Sequence, residues 1–94
     1  MTPADPLAPL RARFAAKAAD EAALLRRFQH GEVPAEETER AIHGLAGAAG
    51  LFGFGTVSDF ARALDARFAT GSPPRSDELT PLIEALESLA RDYS

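Results

Sequence analysis

The chain contains no cysteine. A disulfide, a thiol nucleophile and a cysteine-based zinc site are therefore excluded, and nothing argues for an oxidising compartment. Positive charge is also in deficit: Lys and Arg number 10 against 14 Asp and Glu, a formal net charge of −4. Broad attraction to nucleic acid or to an anionic membrane surface is not expected. No basic segment followed by an apolar run opens the chain, so no secretory leader is expected, and the cytoplasm is the expected location. Long hydrophobic runs are missing too. The longest uncharged stretch, Ala41–Ser58, is interrupted by His43 and by Gly44, Gly47, Gly50, Gly53 and Gly55, which argues against a membrane-spanning helix. No alternating β-strand pattern competes with the helical one described next.

What is present suits one small domain. Ninety-four residues, 46% hydrophobic and 26% charged, match an ordinary globular chain with a single core. Pro3, Pro6 and Pro9 suppress regular structure over residues 1–9, which predicts a short extended N-terminal arm ahead of a domain over 10–94. From Leu10 to about Gln29, the residues Leu10, Phe14, Ala18, Ala22, Leu24, Leu25 and Phe28 recur at helical spacing, and His30-Gly31 closes the helix. Pro34, with Glu36 and Glu37 behind it, opens a second helix reaching about Phe52. Gly53-Phe54-Gly55 is a turn. Thr56, with Asp59 three residues on, predicts a capped third helix whose apolar face is Val57, Phe60, Ala61, Leu64 and Phe68. After the loop at 71–75, a last helix starts between Ser76 and Thr80, with Pro81 in its first turn and Leu79, Leu82, Ile83, Leu86, Leu89 and Ala90 inward. Four helices with one apolar stripe each, joined by short loops, predict an all-α antiparallel up-down four-helix bundle.

The second helix carries the candidate chemistry. Thr38, Ile42, Leu45, Ala49 and Phe52 cluster on one side of the wheel, and His43 lies about 130° from the centre of that cluster. Its ring is therefore expected in solvent, with Ala46, Gly47 and Gly50 leaving it sterically bare. Each helical glycine costs about 1 kcal/mol relative to alanine. Close helix packing explains such a position structurally, above all at Gly44. Gly47 and Gly50, on the face of His43, would also let a partner's backbone approach the ring. Glu39, four residues before His43, is a candidate acceptor for the second ring nitrogen. Arg40 is one turn before it, but helical side chains lean towards the N-terminus, which aims Arg40 away from the ring.

Other chemistries find less support. The glycine run lacks a preceding strand and a following Gly-Lys-Ser/Thr, as a phosphate loop would require. His43 and Glu39 are too few for a metal site, so no metal or cofactor is expected. A triad of Ser58, His43 and Asp59 conflicts with the helix start expected at Ser58 and Asp59.

The run His43-Gly44-Leu45-Ala46-Gly47, continuing through Gly50, Phe52 and Gly53, resembles the signature of histidine-containing phosphotransfer (HPt) domains of bacterial two-component phosphorelays. The resemblance extends from about Leu10 onward, with Ala41–Phe54 its specific part. It implies a phosphocarrier rather than an enzyme, with no kinase or nucleotide site: His43 would take a phosphoryl group from an aspartate of a receiver domain and pass it to another receiver. The implied partners are receiver domains of response regulators and hybrid histidine kinases, met transiently by a monomer. Glu39, Arg40, Ala46, Gly47 and Gly50 are then the supporting and docking residues. Members of the family frequently carry lysine three residues after the histidine. This chain has Ala46 there, leaving Lys17 or Arg62 of neighbouring helices to supply the charge. The alternative is a helical interaction module that docks without transferring.

Overall fold

Pro9 lies in the first turn of the first helix, where its missing N–H is one that a helix start leaves unpaired in any case. The computed structural model describes residues 5–93. Helix α1 spans Ala8–Gln29, so it begins two residues before the expected Leu10. Pro6 and Leu7 form a turn rather than an extended segment. The Asp5 carboxylate accepts the Leu7 N–H at 3.0 Å and pairs with Arg11, which fixes that turn. The remainder of the expected arm, residues 1–4, lies outside the described residues.

Helix α1 closes at His30 and at Gly31, whose φ of +74° suits a residue without Cβ. Helix α2 follows as Ala35–Leu51, behind Pro34 and with Glu36 and Glu37 in its first turn. Gly53, at φ +83°, turns the chain into α3, Gly55–Ala69. The cap expected at Thr56 does not form: the helix starts one residue earlier, without a side-chain cap. Ser58 faces inward instead, its Oγ donating to the Ala46 carbonyl at 3.4 Å. A 3₁₀ turn over Ser76–Leu79 leads into α4, Thr80–Asp92, with Pro81 in the first turn.

The four helices run up and down as an antiparallel bundle, α2 packing chiefly on α3 and α1 on α4. Leu25, Ile42, Leu79, Leu82, Ile83 and Leu86 are fully buried at its centre. On α1 the inward stripe is Ala15, Ala18, Ala22 and Leu25, while Leu10 is exposed, as is Phe60 of α3. Position around the helix decides burial ahead of side-chain hydrophobicity, and Leu10 sits at the rim of that stripe. At the α2–α3 turn, Phe14 stacks on Phe54 with centroids 5.3 Å apart, and Phe52 and Tyr93 add edge-on contacts. Arg11 ties the same end by donating Nε–H to the Phe52 carbonyl at 3.0 Å. Across the bundle, Arg26 of α1 holds Glu87 of α4 through two bonds of 3.1 and 2.8 Å. No helix among the described residues is long and apolar enough to cross a membrane.

Candidate functional site

Ile42 and Leu45, 0% and 5% exposed, anchor α2 in the core on either side of His43 in sequence. With 100° between successive residues, burying those two turns His43 outward. Its side chain is 78% exposed. The ring is nevertheless held, because Nδ1 lies 3.0 Å from Oδ2 of Asp65 on α3. An ionised carboxylate can only accept, so in the neutral ring Nδ1 carries the proton and Nε2 keeps its lone pair. Of the two ring nitrogens, Nε2 is thus the one with a free lone pair.

Asp65 corrects the expectation that Glu39 would hold the ring. Glu39 lines the same shallow hollow, with Glu36, Arg40, His43 and Asp65 around it, but the bond to the ring comes from α3. The signal for Asp65 was available in the turn. In an antiparallel helix pair, residues equally far from the turn lie opposite each other, and His43 and Asp65 are each eleven residues from Phe54 (54 − 43 = 65 − 54). The helix wheel of α2 alone contains no such information.

The other expected residues divide. Arg40 lines the hollow beside His43 and also the groove between α1 and α2. The hollow also holds Glu36 and Glu39 of the preceding turns, the side to which the Arg40 side chain is expected to lean. Lys17 belongs to the α1–α2 groove, with Gly44 and Glu21. Ala46 is only 6% exposed and accepts the Ser58 hydroxyl through its carbonyl, so it turns towards α3 and offers a partner no docking surface. That corrects its expected place on the bare side of the ring.

The glycines have separate explanations. A Cβ added to Gly44 or Gly47 would meet nothing within 4 Å. Packing inside the bundle therefore requires neither, contrary to the close-packing explanation considered for Gly44. At Gly50 the situation reverses: a Cβ would lie 3.0 Å from Nη2 of Arg62 and 3.2 Å from Oγ of Ser58. Gly50 is thus a seat for the Arg62 guanidinium within the chain, where the sequence suggested only an open approach for a partner.

A protein-family model described as Hpt domain matches residues 9–92. No curated protein matches the chain, and no solved structure does.

Proposed function

Because the chain belongs to the Hpt domain family, whose members are phosphocarriers rather than kinases and take part in histidine phosphotransfer in phosphorelays, we propose that His43 is the residue that carries the phosphoryl group. In this reading it accepts that group from an aspartyl phosphate of one receiver domain and donates it to the aspartate of another. The observation that carries the reading is the 3.0 Å bond from Nδ1 to Asp65 on a ring 78% exposed. It leaves Nε2 both basic and accessible.

The transfer balances without a further reactant. The Nε2 lone pair attacks phosphorus, the N–P bond forms as the P–O bond to the aspartyl carboxylate breaks, and that carboxylate leaves with the electron pair. The ring gains positive charge as it reacts, and the Asp65 carboxylate on Nδ1–H stabilises it. Return to a second receiver is the same step reversed. Positioning dominates such chemistry, since the carrier needs no proton transfer at Nε2.

Gly47, with open space around it, is the point where a receiver's backbone would approach the ring. Arg40 supplies the positive charge that Ala46 does not, from within the hollow around His43. The chain works as a monomer in the cytoplasm, meeting its partners one at a time.

The test is incubation with a receiver domain labelled on its aspartate. Acid-labile phosphate should appear on the wild-type chain and be lost in His43→Gln, with helical content unchanged. Labelling that survives His43→Gln would overturn the assignment. A chain that binds receivers without ever being labelled would be a docking module.

A further inference from the structure

Arg62 stands eight residues after Phe54 and Ala46 eight before it, so on the paired helices their backbones are level (62 − 54 = 54 − 46). The Arg62 side chain does not reach towards His43. Following the N-terminal lean of helical side chains, it runs back along α3 and lays its guanidinium on Gly50. Gly50 is seven residues from His43, about 10 Å along the helix axis. A phosphoryl group on Nε2 is out of reach of a guanidinium held there. Among the described residues, Arg62 makes no ion pair or hydrogen bond, and it is exposed. Arg11, Arg26, Arg67 and Arg75 are paired with carboxylates, whereas Arg62 shares its unpaired state with Lys17, Arg13, Arg27 and Arg40 and is the one of these on α3.

We propose that Arg62, seated on Gly50, is a docking residue that selects the receiver by pairing with a carboxylate on the receiver's surface beside its phosphorylated aspartate. The inference rests on the phosphotransfer reading of His43. Charge complementarity carries it. The hollow around His43 is lined by three carboxylates and one guanidinium, from Glu36, Glu39, Asp65 and Arg40, and would repel an anionic partner at close range. An unpaired cation along the same helix pair offers that partner a fixed attraction at the rim of the contact. Gly50 lets the guanidinium lie close to α2, since a Cβ there would push it outward by a few tenths of an ångström.

The experiment measures phosphoryl transfer to the full chain from two donors: the labelled receiver domain that phosphorylates the wild type fastest, and the small molecule phosphoramidate. Arg62→Ala should lower the second-order rate from the receiver about fivefold at low ionic strength, the size of a good exposed ion pair. That deficit should shrink as salt rises to about 0.5 M. Arg62→Lys should restore the salt dependence. Gly50→Ala, which shifts the guanidinium by only a few tenths of an ångström, should cause a smaller loss in the wild-type background and add nothing to Arg62→Ala. An equal loss with phosphoramidate would place Arg62 in the chemistry at His43 and overturn the docking role. Transfer from the receiver at the wild-type rate and salt dependence would overturn it as well. If the wild type takes label from neither donor, it is the reading of His43 that fails.

Discussion

Asp65 of α3 fixes the ring of His43 on α2: its Oδ2 lies 3.0 Å from Nδ1, with the histidine side chain 78% exposed and the carboxylate 29% exposed. One side chain is free to meet a partner while its neighbour sets which nitrogen does so. Replacing Asp65 by alanine should slow phosphorylation of His43. A hydrogen bond to a charged group contributes about 1.5–3 kcal/mol. Solvent exposure cuts that to about 1 kcal/mol, or about fivefold in rate. Asp65→Asn retains an acceptor without the charge and should fall between. Initial rates of labelling from one phosphorylated receiver check this, and a wild-type rate in Asp65→Ala would remove the residue from the mechanism.

Gly47 separates stability from function. With nothing within 4 Å of its missing Cβ, Gly47→Ala should stabilise the helix by about 0.5–1 kcal/mol. In a domain of this size that raises Tm by about 2–8 °C. The same substitution should slow transfer from a receiver, because the added methyl stands where the partner approaches. Gly44→Ala should stabilise by a similar amount. Thermal unfolding followed by circular dichroism, alongside transfer kinetics, tests both halves.

Gly50→Ala should gain less than either. The propensity gain is opposed by contacts of 3.0 Å to Arg62 and 3.2 Å to Ser58, of which only the arginine end moves easily. A melting temperature below that of Gly47→Ala is the expected result.

The core beneath His43 sets its platform. Ile42 is fully buried, and Ile42→Ala should destabilise the bundle by about 2–5 kcal/mol, a large part of the total for a domain this small. Ile42→Val should remove only about 0.5–1.5 kcal/mol. Urea unfolding midpoints at a constant slope distinguish these values from a change in the unfolded state.

Acid should weaken the α1–α4 contact and the entry to α4. Arg26 holds the Glu87 carboxyl below its usual range, mainly through their hydrogen bonds. The Arg75 N–H, and then the Arg67 side chain, do the same for Glu78. For carboxyls whose folded pKa is depressed, the contribution is present above the ordinary value of 4.5 and is lost as pH falls through the lower folded value. Melting temperature should therefore decline as pH drops below 4.5. Glu87→Gln should lower Tm at neutral pH and flatten that decline. An acid limb unchanged in Glu87→Gln would show that the Arg26 pair contributes nothing.

The sequence carried the helices because each is a local matter. Ile42, Leu45 and Ala49 recur at the helical period, and glycines with positive φ at 31, 53 and 71 end three of the four helices. Misplacements occurred where a local rule met a tertiary constraint. Thr56 had the spacing of a cap, but Phe54 and Gly55 begin the helix, so Ser58 turns inward to Ala46. Leu10 had the right residue type, but the alanines of α1 occupy the inner side.

For the site the same division holds. Periodicity alone turned His43 away from Ile42 and Leu45, since a helix wheel depends only on residues a few positions apart, and the structure places the ring in solvent. The partners of that ring and of its helix are separated from them by a turn. Asp65 reaches Nδ1, Arg62 settles on Gly50 and Ala46 is closed off because α3 folds back on one particular side of α2, in a register set by the turn at Gly53 and Phe54. Which nitrogen is free, and where the Arg62 guanidinium rests, were decided only by that packing.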